Sequence, residues 1–319
     1  MKNLLFTSTL FLIVNFSFAQ TKIENDLTRD GLKGKVSFFS ESKYQLVEKF
    51  GAIKKGSLRE KTTSKYDEKG NMIERNDYNA DGSVYSKTTY KYDEKGNRIE
   101  HIDYRADGSL FLKYTSTYKY DEKGNEIEEK GNESELGDFK NTSKYDEKGN
   151  KIEENNYNAD GSLESKKTFK YDEKGNRIEE NFYNADGSLN SKTTYKYDEK
   201  GNKIEQNFYN ADGSLGDKYT YKYDEKGNKI ESNVYNANGT LSFKSTNKYD
   251  EKGNMIEEIR YTFYKFDVGR NVIEKNRDGI LDYKITYKYE FDAMGNWIKK
   301  TSTADGKPEE LTERVIEYY

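Results

Sequence analysis

Asp198, Glu205, Asn207 and Tyr209 fall within one short stretch, "YDEKGNKIEQNFY", and close copies of it recur down most of the chain. Two carboxylates near one another can serve as acid and base on a glycosidic bond, provided their surroundings hold the two pKa values apart. A catalytic pair is single and set in a pocket, however, whereas Asp198 and Glu205 recur in most copies. Repetition suits a turn-forming Asp and a strand Glu facing Lys. His101 is the one histidine, its place in other copies is held by Arg75, Glu154, Glu180, Gln206 and Ser232, and the chain has no cysteine. Serine–histidine–aspartate chemistry therefore has nothing to build on. No catalytic residue is expected.

Metal chemistry is equally poorly supplied. "DYNADG", Asp77 to Gly82, matches the first half of a calcium-binding loop, but the twelfth position is Thr88 where a bidentate Glu is needed. Other copies open that stretch with Asn156, Phe182, Phe208 or Val234, so a turn is the expectation and no metal or cofactor is assigned. What remains is recognition by flat aromatic faces, on which sugar rings stack while their hydroxyls bond to Asn, Asp and Lys. Tyr78, Tyr104, Tyr157, Tyr183, Tyr209 and Tyr235 are equivalent positions, and Asn181, Asn207 and Asn233 share their face by strand parity. These nine are the candidate ligand-binding residues. The competing reading is that the rings stack across strands and only protect the sheet.

The elements that position them are set by the repeat. Tyr-Asp-Glu-Lys begins at Tyr66, Tyr92, Tyr120, Tyr145, Tyr171, Tyr197, Tyr223 and Tyr249, mostly 26 residues apart, and two eroded copies follow from Phe266 and Phe291. Each copy predicts two strands, such as Ser191 to Tyr197 and Lys203 to Tyr209, separated by turns of one grammar: Asp or Asn first, Gly fourth. A two-residue turn centred on Lys200-Gly201 would set Ile204 opposite Tyr197, and a three-residue turn with a Gly bulge would flip it. The first is expected, because it gathers Leu189, Thr193, Tyr195, Tyr197 and Ile204 on one face.

Composition bounds the class. Only 32% of the chain is hydrophobic and 35% is charged, values typical of disorder, yet 29 Tyr and 16 Phe are too many for a solvated coil. The 54 basic and 58 acidic residues are interleaved without a basic stripe, which argues against nucleic acid. "MKNLLFTSTLFLIVNFSFAQ" reads as a secretory signal cut after Ala19, because Leu4 to Val14 is too short to span a bilayer. No later segment is expected to be apolar enough to cross a membrane. The chain is expected to be exported, to the periplasm or the cell surface and beyond.

The Tyr-Asp-x-x-Gly-Asn word, followed by strand and turn, resembles the YD-repeat family of bacterial secreted proteins, the Rhs-like repeats, from about Tyr66 to Trp297. "YNADGSL" is more loosely similar to MORN-type repeats. The YD resemblance implies a β-sheet wound around a hollow interior, and carbohydrate binding. This chain is much shorter than the larger members and ends in "GNWIKKTSTADGKPEELTERVIEYY", so an open ribbon without a toxin domain is expected.

The resulting expectation is an all-β protein, an antiparallel β-meander of hairpin repeats coiled into a solenoid-like or spiral ribbon. Residues 1–19 are the signal peptide, 20–60 an N-terminal cap, 61–260 the repeats, and 261–319 degenerate repeats and a C-terminal cap with Trp297 as its anchor. Its function is expected to be non-enzymatic binding of polysaccharide through many weak sites. The alternative is an envelope scaffold that binds protein partners.

Overall fold

The computed structural model describes residues 25–135, 137–266 and 272–319. The expected signal peptide and part of the first eroded copy lie outside the described residues. Among the described residues one helical turn, α1 (Asp26–Arg29), precedes twenty strands, β1 to β20 in chain order.

The turn chemistry explains why the chain doubles back. In the loop between β12 (Leu189–Tyr197) and β13 (Lys203–Asn210), Oδ1 of Asp198 accepts the N–H groups of Lys200 at 3.0 Å and Asn202 at 2.8 Å. Its Oδ2 accepts Asn202 Nδ2 at 2.9 Å. Asp198 N–H donates to the Asn202 carbonyl and Gly201 N–H to that of Asp198, with Gly201 at φ 85°. Asp, Gly and Asn of the repeated word are thus the parts of one three-residue loop.

This geometry corrects the expected turn. Tyr197 stands opposite Lys203, not Ile204. A second bulge then skips Ile204, so that Lys196 faces Glu205 and Tyr195 faces Gln206. The two irregularities cancel, and beyond them the strands run in the register that a two-residue turn would have given. The isoleucines gain little from this. Ile73, Ile127, Ile152, Ile178 and Ile256 are each more than a third exposed, so the expected Tyr–Ile–Leu core is not formed. The opposite turn, Asn210 to Ser214, repeats the design: Asp212 Oδ1 accepts the Ser214 N–H at 2.9 Å and its hydroxyl at 2.6 Å.

The sheet is closed, which overturns the open spiral ribbon. Every strand pairs antiparallel with its chain neighbour, and β1 (Val36–Lys49) also pairs with β20 (Lys307–Tyr318), from Val36↔Tyr318 to Gln45↔Glu310. The physical reason lies in the stagger. Asn181 of β11 (Arg177–Asn184) faces Lys192, which faces Tyr209, so equivalent residues slip by two positions per hairpin. A consistent slip tilts the strands, and tilted, twisted strands close into a barrel once there are enough of them. The two end segments pair with each other and leave no free edge between them.

At the seam the packing departs from the repeat. The Arg314 guanidinium lies 3.2 Å from the Trp297 ring centre and bonds Glu41 Oε2 at 2.9 Å. Leu27, Leu32, Val36, Phe39 and Tyr66 form the one buried apolar cluster among the described residues. Asp26 fixes α1 to it, accepting Met72 N–H and the Tyr92 hydroxyl, each at 2.7 Å.

Candidate functional site

The barrel wall has two faces of different chemistry. On one, Glu205 lies between Lys196 at 2.8 Å and Lys218 at 2.7 Å and accepts Asn207 Nδ2 at 3.0 Å. The same triad forms around Glu74, Glu100, Glu153, Glu179, Glu231 and Glu257. The ammonium groups of Lys144 and Lys166, with Asn155, hold Glu153 down to about 2, and Lys170 and Lys192 do the same for Glu179. On the other face, Tyr195 and Tyr221 flank Lys203, whose Nζ lies 5.3 Å and 5.6 Å from the two ring centres. Tyr223 ties adjacent hairpins together by donating its hydroxyl to the Lys203 carbonyl at 2.8 Å.

All nine candidate residues lie on the Glu205 face, but they have different roles there. Asn181, Asn207 and Asn233 are only 7–8% exposed. Their side-chain amides already donate to Thr168, Thr194 and Thr220 and to Glu179, Glu205 and Glu231. They brace the triads and are closed to a ligand. Tyr78, Tyr104, Tyr157, Tyr183, Tyr209 and Tyr235 are half-buried, and the Lys61 and Lys140 ammonium groups lie 4.9 Å and 5.5 Å from the Tyr78 and Tyr157 ring centres. Each stands opposite a Lys on the strand before it: Lys61, Lys87, Lys140, Lys166, Lys192 and Lys218.

Sequence parity misplaced the leucines. Leu189 was expected beside Tyr195, but the bulge after the Asn-Ala-Asp-Gly turn sets it opposite Tyr183. In the preceding repeat Leu163, Lys166, Thr168, Tyr183 and Asn184 bound a cleft of about 240 Å³. Leu163 is thus a candidate site residue that parity missed, and Thr168 one that lies on the face parity gives it. The bulged Gly turn immediately before each Leu was the available signal.

The slip of two residues per hairpin fixes the spacing of the tyrosines. Two strand separations of ~4.8 Å and two residues of ~3.3 Å put equivalent tyrosines about 12 Å apart, in a row around the barrel. That is the length scale of a disaccharide.

The other sequence candidates are engaged elsewhere. His101 Nε2 is 3.0 Å from Asp103 Oδ1, and its ring lies 5.1 Å from that of Tyr90 on the opposite face. Asp77 accepts from Arg75 and Thr62 at 2.9 Å each, so it belongs to the strand and not to the turn.

No protein-family model matches the chain, and no curated protein matches it. Among solved structures, a complex of TcdB2-TccC3 with Cdc42 matches at 14% identity and a TM-score of 0.32, over 79% of this chain and 15% of that one. A porin-like protein from Bacteroides uniformis matches at 13% identity and a TM-score of 0.31, over 88% and 96% of the two chains. One from Bacteroides vulgatus matches at 10% identity and a TM-score of 0.29, over 90% and 99%. This chain spans about one sixth of the TcdB2-TccC3 chains it matches. At TM-scores of this size the likenesses decide neither fold nor function.

Proposed function

We propose that this is an exported, non-enzymatic barrel that binds an extended polysaccharide along its tyrosine row. The observation that carries the reading is the recurrence of one half-open Tyr beside one Lys, at a constant slip, on successive hairpins. An apolar ring with a flanking ammonium and a Thr hydroxyl suits a sugar unit, which has an apolar face and polar edges. Equivalent weak sites at disaccharide spacing add up only on a polymer with its own repeat. The leader-like first residues support export.

Both faces also support a barrel surrounded by water. A membrane-spanning barrel turns an apolar band outward. Here the Glu205 face carries lysine–glutamate triads, and the other carries Lys203, Arg177 and Glu180. Among the described residues no helix is long and apolar enough to cross a membrane.

The test is affinity electrophoresis of the chain from Gln20 through a panel of bacterial and plant polysaccharides, with calcium and with chelator. Retardation by one polymer class, unaffected by chelator and lost in Tyr183→Ala/Tyr209→Ala/Tyr235→Ala, is the expected result. No retardation by any polymer, or retardation that survives the triple change, would remove the proposal.

A further inference from the structure

The hairpin of β1 and β2 (Ala52–Tyr66) runs past its neighbours. Its strands have 14 and 15 residues, whereas the strands between Lys151 and Tyr249 have seven to nine. β20 accompanies β1 only as far as Gln45, and β3 (Met72–Tyr78) accompanies β2 only from Lys61 onward. Beyond those points the two strands pair with each other alone, down to Lys49↔Ala52. The hairpin therefore projects from the sheet.

Phe50 and Gly51 close it, at φ 56° and 75°. A hairpin turn with positive φ at both central residues takes Asn, Asp or Gly at the first of them, and a bulky side chain there is strained. Among the described residues only Phe50 and Asp305 hold a positive φ without being glycine. The Phe50 ring gains no packing in return, because it is fully exposed, and Ile53 beside it is 59% exposed. Strain that presents an apolar ring to water points to something that receives the ring. Charge identifies the receiver. Residues 46–55 hold three lysines and one acid, Glu48. Lys55 is spent on Glu313 and the Tyr44 ring. Lys49 and Lys54, on either side of the turn, are exposed and enter no ion pair among the described residues.

We propose that this tip docks on a lipid bilayer bearing anionic headgroups, with Phe50 and Ile53 in the interfacial layer and Lys49 and Lys54 on the lipid phosphates. A projecting turn needs no preformed cup in a bilayer, and ammonium groups set behind an apolar tip stand at headgroup level. One ring, one isoleucine and two cations give weak, reversible attachment, enough to hold a water-surrounded barrel at a membrane surface. The tip lies outside the tyrosine row and does not depend on it.

Phe50→Asn separates this role from a structural one. Asn suits the turn, so the change should raise the melting temperature while weakening attachment. The chain from Gln20 would be floated with vesicles of phosphatidylcholine and phosphatidylglycerol in equal parts, and with vesicles of phosphatidylcholine alone. Binding is expected on the anionic vesicles. It should fall about tenfold or more on the neutral ones, in Phe50→Asn, and in Lys49→Gln/Lys54→Gln. Tyr209→Ala should leave it unchanged. No binding to anionic vesicles, or equal binding by Phe50→Asn, would overturn the proposal. So would a Phe50→Asn effect confined to breaking up a dimer, which would give the tip to a second copy of this chain.

Discussion

At the scale of single residues, the repeated word separates into parts with distinct physical roles. Asp198 and Asn202 shape a turn, Glu205 and Asn207 brace the wall, and Tyr209, half-buried on the same face, is the proposed ligand contact. Asn207→Ala would leave Thr194 and Glu205 short of a donor in a site that is nearly closed to water. A loss of about 1–2 kcal/mol in urea unfolding is expected, with polysaccharide binding retained. The triads add a pH dependence. Glu153 and Glu179 are held at about 2 by their lysines, below the unfolded value of about 4.3. Their contribution is therefore complete above that unfolded value and is lost as the pH falls from about 4 toward 2. The melting temperature should drop across that window, and the drop should shrink in Glu153→Gln/Glu179→Gln. An equal drop in the double variant would place the acid sensitivity elsewhere.

At the scale of the element, each hairpin combines two irregularities that sequence reasoning treated as alternatives. The Asp and Gly spacing identified both turns, and strand parity brought the Tyr and Asn positions to one face. The Gly at the fourth turn position was the only mark of the bulges, because an extra residue in a strand does not disturb an alternating pattern when a shift in the turn compensates for it. That is why Ile204 was paired with Tyr197 and Leu189 was given to the wrong face. Gly201, at φ 85°, is where the design is least tolerant. Gly201→Ala should cost about 1 kcal/mol or more, measured by thermal unfolding, because Ala does not adopt that conformation without strain. Gly213→Ala, at φ 80° in the opposite turn, should behave alike.

At the scale of the molecule, closure is the property that local reading could not reach. Nothing within one repeat says that the tenth hairpin will meet the first. That outcome depends on the sum of stagger and twist over the whole sheet, and on Val36 to Gln45 finding Glu310 to Tyr318. The contact between Arg314, Glu41 and Trp297 then secures the seam. Deleting residues 307–319 should expose the long edges of β1 and β19 (Trp297–Ala304), giving an expanded or self-associating particle in size-exclusion chromatography with X-ray scattering. A truncated chain that stayed monomeric with unchanged dimensions would show that closure contributes little to the shape.

Avidity along the tyrosine row is the central claim, and calorimetry tests it most directly. The chain from Gln20 and variants with one, two, four and six of the row tyrosines changed to Ala would be titrated with the polysaccharide that retards it and with the corresponding disaccharide. The predicted result is a polymer affinity that falls steeply with each tyrosine removed, while disaccharide affinity per remaining site stays constant. A polymer affinity independent of the number of tyrosines would contradict the account.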